Sequence, residues 1–89
     1  MHDERSTAES TADCIIRTAT ADDVPALRRL MQLARVRVFC APALVAEMGG
    51  SVGAAISLAN GRIIADPSRP TSHLTRLLRM RRDALLPLS

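Results

Sequence analysis

Two glycine-bearing dipeptides, Gly49-Gly50 and Asn60-Gly61, divide the apolar middle of this 89-residue chain into short segments. Both favour the tight turns of β-hairpins, because glycine and asparagine adopt positive φ angles at little energetic cost. They separate three candidate strands, at residues 44–48, 51–58 and 62–65. Strands joined by such short turns pair with their neighbours, so the sequence predicts an antiparallel meander.

The predicted strands carry apolar or small side chains on both faces. In residues 51–58 a period of two assigns Val52, Ala54, Ile56 and Leu58 to one face, and Ser51, Gly53, Ala55 and Ser57 to the other. Ile63 and Ile64 are adjacent in the last strand and must point in opposite directions. We therefore expect one layer of helix on each side of the sheet.

A strand and a helix are predicted before the meander. Residues 14–17 are a short strand candidate, and Thr20 followed by Asp23 has the spacing of a capping box. Pro25 is compatible only with a first helical turn, so the regular helix is expected to begin one or two residues late. Its apolar face is predicted to comprise Val24, Leu27, Met31 and Ala34, flanked by Leu30. Residues 36–42 fit either an extended segment or a second short helix.

A final helix is predicted to follow Thr71, which is a suitable cap, and to run to about Leu86. Its apolar stripe is predicted to comprise Leu74, Leu77, Leu78 and Leu85, with Arg81 packing inside the stripe through its methylene groups. The complete prediction is an α+β domain over residues 13–89, with a four-stranded, mainly antiparallel sheet and one helix on each face. Residues 1–12 are polar and lack periodicity, which predicts a disordered lead-in.

The composition limits the size and stability of the core. A chain of 89 residues forms one domain at most. Hydrophobic residues make up 47% of it, but Phe39 is the one aromatic residue, so the core consists of small aliphatic side chains. A thin stability margin favours self-association, although a plain alanine-rich monomer is equally compatible with this composition.

The longest weakly charged stretch, residues 41–59, has nearly the length of a membrane span. It contains Glu47, and Gly49-Gly50 at its centre favours a turn, so no membrane span is expected. The start of the chain is polar and acidic, unlike a secretory signal. We therefore expect a cytoplasmic protein.

The cysteines and histidines do not indicate a cofactor site. Cys14 and Cys40 are too few for a disulfide framework. Together with His2 and His73 they match no zinc-binding spacing, so no metal is expected. Glu47 could act as a base on an apolar strand, but an edge or solvent-facing position is the simpler interpretation. No catalytic residue is assigned.

The C-terminal part of the chain is basic, with five arginines and one aspartate in residues 67–89. Four residues at the start of the final helix could bind an anion through side chains and free amides: Arg69, Thr71, Ser72 and His73. Further along the helix, Arg76, Arg79 and Arg82 are expected to form a basic surface. No base-stacking aromatic residues accompany them, so nucleic acid is not the expected partner.

Residues 15–27 contain Ile16-Arg17 followed by a Thr-x-x-Asp helix start, and residues 45–55 contain two strand segments around Gly49-Gly50. In this order the segments resemble the first half of the GNAT superfamily of N-acetyltransferases. Residues 60–71 are similar to the corresponding part of short GNAT-like proteins of high-GC bacteria. The resemblance covers residues 14–86 and implies the GNAT type of antiparallel sheet.

The chain departs from that family where the family binds acetyl-CoA. GNAT proteins hold the cofactor with an Arg/Gln-x-x-Gly-x-Gly/Ala loop after the fourth strand, whose amides face the pyrophosphate. Here Asp66-Pro67 occupies the equivalent position, and no glycine of the chain fits the pattern. Proline has no amide to donate and aspartate repels phosphate, so no cofactor is expected.

These features favour a non-catalytic interaction module that forms a homo-dimer or completes a protein partner, through an exposed edge of the final strand. Two alternatives stay open. The first is an N-acetyltransferase that borrows its acetyl-CoA surface from another subunit. The second is binding of an anion or nucleic acid by the arginine-rich helix.

Overall fold

Four antiparallel strands form one sheet in the order β1-β2-β3-β4, in a computed structural model that describes residues 14–85. The strands are β1 (Cys14–Thr18), β2 (Ala43–Met48), β3 (Ser51–Ser57) and β4 (Ile63–Ala65). Helix α1 (Val24–Leu33) connects β1 to β2, and α2 (Ser72–Leu85) follows β4. The predicted α+β class and four-stranded antiparallel sheet are confirmed, whereas the predicted disordered segment, residues 1–12, lies outside the described residues.

One face of the sheet packs against α1. Leu30 is fully buried there, against Val45, Ala55 and Ile64 of the three strands that follow. The buried face of α1 is therefore rotated about the helix axis relative to the predicted apolar face. Leu30 is at the centre of the buried face, and Val24 is 41% exposed. Residues 36–42, for which the sequence left two possibilities open, form neither a helix nor a strand.

The other face of the sheet packs against α2. Leu74 and Leu78 are fully buried one helical turn apart and contact Ala46, Ala54 and Ile56 of the central strands. Small alanines at the middle of β2 and β3 leave space for the leucines of the helix. A helix thus covers each face, as the apolar character of both strand faces predicts.

The alternation of faces along β3 is interrupted at Gly53. Ala46 pairs with Ala54 and Glu47 pairs with Val52, so Gly53 is an additional residue in β3, as in a β-bulge. Val52 consequently packs with the α1 cluster, whereas Ala54 and Ile56 pack with the α2 cluster. The prediction that Val52 shares a face with Ala54 is wrong, because a bulge shifts the period of two by one residue.

The turn between β3 and β4 is longer than a two-residue hairpin. The amide of Ser57 donates to the carbonyl of Arg62 at 2.8 Å, which closes a loop over residues 58–61. Gly61 has a φ of +79°, and the side-chain oxygen of Asn60 accepts a hydrogen bond from the Arg62 amide at 2.9 Å. The Asn60-Gly61 turn signal is therefore correct in position, and the strand that follows it begins one residue later than predicted.

Helix α1 begins and ends with defined capping contacts. A 3₁₀ turn (Ala21–Asp23) precedes it, and Pro25 lies in its first turn, as predicted. At its end Arg35 adopts a φ of +58°, and the amides of Arg35 and Val36 donate to the carbonyls of Gln32 and Met31. This is the Schellman pattern, with arginine at the position that glycine usually occupies.

The buried stripe of α2 is narrower than the sequence predicts. Leu77 and Leu85 are 37% and 54% exposed, and Arg81 is exposed as well. Arg82, one turn beyond Leu78, occupies the sheet-facing position instead. Arg81 and Arg82 are adjacent, and the register set by Leu74 and Leu78 determines which of them faces the sheet.

Candidate functional site

A cluster of three charged side chains lies at the α1 side of β1 and β2. Arg17 donates two hydrogen bonds to Asp23, at 2.7 and 2.8 Å, and a third to Glu47 at 2.7 Å. Asp23 also accepts the amide of Thr20 at 2.7 Å, which is half of the predicted capping box. The cluster therefore joins the start of α1 to two strands.

Mutual contacts shift the pKa values of Arg17 and Asp23 in opposite directions. The hydrogen bonds from Arg17, followed by that from the Thr20 amide and the charge of Arg17, hold the pKa of Asp23 well below its ordinary value. Hydrogen bonds to Asp23 and then Glu47 raise the pKa of Arg17. A carboxylate with a lowered pKa has a weak affinity for a proton and is a poor general base at neutral pH, so Asp23 is better suited to a structural role.

The expectation that Glu47 is at an edge or faces solvent is wrong. Glu47 is on β2, an interior strand of the sheet, and it pairs with Arg17 of the neighbouring β1. Its position on an apolar strand follows from that cross-strand ion pair, which the sequence separation of 30 residues conceals.

In the connector between β4 and α2, residues 66–71, three main-chain amides are already hydrogen-bonded within the protein. The amide of Asp66 donates to the Gly53 carbonyl at 3.0 Å, and that of Arg69 to the Asp66 carbonyl at 3.2 Å. The amide of Ser68 donates to the Asp66 carboxylate at 2.9 Å. Pro67 and Pro70 have no amide hydrogen. Residues 66–70 therefore present no free amide to a ligand.

The carboxylate of Asp66 is buried inside the protein. Its relative exposure is 1%, and it accepts the hydroxyl of Ser68 at 2.7 Å. The guanidinium of Arg29 on α1 lies 3.6 Å from its second oxygen. The hydroxyl and the amide of Ser68, with smaller effects from Arg29 and Arg69, lower the pKa of Asp66. Asp66 is a structural link between β3, α1 and the connector.

Of the four residues of the predicted anion site, Arg69 has its guanidinium bonded within the protein. The Arg69 guanidinium donates to the Ser51 hydroxyl and to the Met48 carbonyl, both at 3.0 Å, on the hairpin between β2 and β3. Ser72 and His73 are exposed at the start of α2, and Thr71 is partly buried beside them. Arg69 thus binds the sheet, and anion binding by this set of residues stays a prediction.

The predicted basic surface is only partly a surface. Arg76 and Arg79 are exposed on α2. Arg82 is partly buried, because its guanidinium lies over Gly61 and donates to the Leu58 carbonyl at 3.4 Å. Its Nε is buried and has no hydrogen-bond partner within the described part of the chain.

A groove of about 420 Å³ lies between the start of α1 and the segment before β2. Its walls are almost entirely apolar and include Val24, Leu27, Met31 and Phe39. Among residues 14–85, Arg28 is the one charged residue that lines it. The sequence does not predict this site, because its walls come from segments that are separate in the chain. Residues 36–42, which the sequence left unassigned, contribute Phe39, Ala41 and Pro42 to it.

The two cysteines are not joined to each other. Cys14 and Cys40 are both free, and burial raises the pKa of the Cys14 thiol. Within residues 14–85, no three histidine, cysteine, aspartate or glutamate side chains are grouped as metal ligands would be. Over the same range, no helix has the length and apolar character needed to cross a bilayer.

No family model, no curated protein and no solved structure matches this chain. Function must therefore be inferred from the contacts of its own residues.

Proposed function

We propose that this chain is a non-catalytic, GNAT-like interaction module that pairs with a second copy of itself along an edge of the sheet. The observation that carries the proposal is the self-contained connector between β4 and α2. An enzyme that holds a pyrophosphate after β4 needs free amides there, and residues 66–70 have none. The ionised, buried Asp66 at the same position disfavours a phosphate further.

The sheet has two edges at which a partner strand could add. Within residues 14–85 no strand pairs with the outer side of β1 or of β4. The edge strand β4 has three residues, whereas β1 has five and carries Ile15, which is 51% exposed. The longer edge offers more main-chain hydrogen bonds, so β1 replaces the final strand as the favoured pairing edge.

The hydrogen-bond pattern of β1 defines which groups a partner would meet. The amide of Ala19 donates to the carbonyl of Ala43 at 2.8 Å, so residues 15, 17 and 19 direct their main chain toward β2. Ile16 and Thr18 therefore direct theirs outward. A twofold axis at Ile16 would pair each β1 with its copy, place Ile15 beside Arg17 of the partner, and join two sheets into one of eight strands.

Light scattering coupled to size-exclusion chromatography tests this proposal with one pair of variants. Thr18 is exposed and its amide faces outward, so Thr18→Pro removes a donor that β2 does not use. We expect a dimer for the native chain and for Thr18→Val, which has the same shape and retains the amide, and a monomer for Thr18→Pro. A native chain that stays monomeric at micromolar concentrations contradicts self-association.

Calorimetric titration with acetyl-CoA tests the enzymatic alternative, in which another subunit supplies the cofactor surface. The proposal predicts no heat of binding for the native chain at any oligomeric state. Saturable binding of acetyl-CoA would contradict a non-catalytic role and would support the N-acetyltransferase alternative.

The exposure of Arg76 and Arg79 on α2 supports a second candidate function, which is electrostatic binding to nucleic acid. Titration of a labelled duplex against the native chain and against a variant with both arginines replaced by glutamine tests it. Affinity that falls steeply with salt and is lost in the variant supports this candidate. Absent or salt-independent binding removes it.

A further inference from the structure

We propose that the groove beside α1 binds a small amphipathic carboxylate, with an aliphatic chain in the groove and the carboxylate at Arg28. This site does not include the connector, and its lining begins at Ala19, directly after the end of β1. The strands alternate in direction, so β4 runs antiparallel to β1. The groove is therefore near the C-terminal end of β1, and the connector begins at the opposite end of the strands.

The walls of the groove determine the apolar part of the ligand. One wall is a side of α1 with the exposed Val24 and the partly buried Leu27 and Met31 at helical spacing. The opposite wall is the segment before β2, which contributes Phe39 and Pro42. The one aromatic side chain of the protein therefore lines the groove, and it also packs, partly buried, against the α1 cluster.

The volume of the groove limits the size of the ligand. The available space is about 420 Å³, which is within the usual range for small-molecule sites. Since a water molecule occupies about 30 Å³ in the liquid, the groove holds roughly 14 atoms of that size. A straight carboxylate of eight to ten carbons, with about 10 to 12 non-hydrogen atoms, fills most of this volume.

Arg28 determines the charge of the ligand. It is the one charged residue among those lining the groove, and it forms no ion pair with any residue of the described range 14–85. The neighbouring Arg29, by contrast, pairs with Asp66. An apolar groove with a single unpaired guanidinium at its wall is complementary to a molecule with one anionic end and an apolar body.

Titration with octanoate, followed by amide NMR spectra of the full chain, tests the proposal. We expect saturable shift changes at low-millimolar octanoate, confined to the groove residues around Val24, Met31 and Phe39. Hexanoate should bind about tenfold more weakly, because two fewer methylene groups are buried. Octylamine, which has the same chain and the opposite charge, should bind more weakly than octanoate.

Two groove variants and one control separate the contributions of charge and shape. Arg28→Gln should weaken octanoate about two- to fivefold and leave the binding of 1-octanol unchanged. Ala21→Leu fills part of the groove from an exposed position and should weaken both probes. Arg76→Gln makes the same charge change on α2 and should alter neither.

Three results would overturn the proposal. The first is the absence of saturable shifts with octanoate, and the second is equal affinity of Arg28→Gln and the native chain. The third is a set of shifts that extends over α2, which would indicate non-specific binding of an amphiphile to exposed apolar side chains. None of these results gives the oligomeric state of the chain, so failure of this proposal can be distinguished from failure of the edge-pairing proposal.

Discussion

Two features of single residues determine local structure in this protein: a buried ion pair and a left-handed backbone conformation. Asp23 is 5% exposed and ionised, and Arg17 is the cation that makes this burial tolerable. Arg35 adopts a left-handed backbone conformation that costs a residue with a Cβ atom about 1 kcal/mol or more. The ion pair of Asp23 with Arg17 stabilises the fold, whereas Arg35 is retained at an energetic cost.

Replacement of Arg17 by glutamine should lower the free energy of unfolding at pH 7. Loss of a buried ion pair costs about 3–5 kcal/mol, and since the Arg17 side chain is 36% exposed we expect about 2 kcal/mol. Urea denaturation followed by circular dichroism measures this difference. Arg76→Gln, the same change on an exposed helix surface, should cost less than about 0.5 kcal/mol.

The effect of Arg17→Gln should depend on pH. Because the folded-state pKa of Asp23 is lowered, its contribution is present above the unfolded-state pKa of about 3.9 and is lost as pH falls through and below that value. The difference between the native chain and Arg17→Gln should therefore shrink on going from pH 7 to pH 3. A difference that stays constant over this range would show that Asp23 does not depend on Arg17.

Replacement of Arg35 by glycine should stabilise the protein by about 0.5–1 kcal/mol. Glycine removes the cost of the positive φ at the end of α1, and the gain exceeds the added entropy of the unfolded chain. Arg37→Gly is the matched control, because Arg37 is exposed and has no positive φ, so that variant should be neutral or less stable. Thermal unfolding of the two variants distinguishes them, and equal shifts in Tm would contradict this explanation.

At the level of elements, the sequence identifies each helix and strand but not every side-chain direction. Turn and capping signals depend on neighbouring residues, so Gly49-Gly50 and Thr20 could be interpreted directly. The bulge at Gly53 depends on the partner strand, which is why the side of Val52 was assigned wrongly. The groove beside α1 depends on three separate segments, and no local pattern in the sequence indicates it.

The contact between α2 and the β3–β4 loop can be tested with two glycine variants. A Cβ atom at Gly61 would lie 3.3 Å from Nη1 of Arg82, whereas one at Gly50 would have nothing within 4 Å. Both glycines have positive φ, so each change to alanine should cost about 1 kcal/mol, and Gly61→Ala should cost more. In an Arg82→Ala background the two costs, measured by urea denaturation, should become equal. A persistent excess for Gly61→Ala would contradict a role for Arg82.

At the scale of the whole molecule, one sheet is shared by two cores. The α1 cluster is built around Leu30 and the α2 cluster around Leu74 and Leu78, and the alternating residues of β2 and β3 belong to both. A defect on either side of the sheet should therefore weaken the other side. Domains of this size have a free energy of unfolding of about 4–11 kcal/mol. Because this margin is small, the protein should unfold if the packing on either face of the sheet is lost.

Truncation of one leucine on each face tests this coupling. Leu30→Ala and Leu78→Ala should each cost about 3 kcal/mol, and each should lower the hydrogen-exchange protection of both helices. Leu77→Ala, next to Leu78 but 37% exposed, is the control and should cost less than about 1 kcal/mol. Loss of protection only in the helix that carries the substitution would show that the two layers unfold independently.

The alanines at the centre of the sheet have a consequence for how this protein could change. Ala46 and Ala54 are completely buried beneath Leu74 and Leu78, so a larger residue at either position would force α2 away from the strands. Substitution of either alanine by a larger residue should therefore destabilise the protein, unless a leucine of α2 is replaced by a smaller residue at the same time. New binding specificity would have to arise at the periphery, by changes in exposed groove residues such as Ala21 and Val24, which are not part of the α1 cluster.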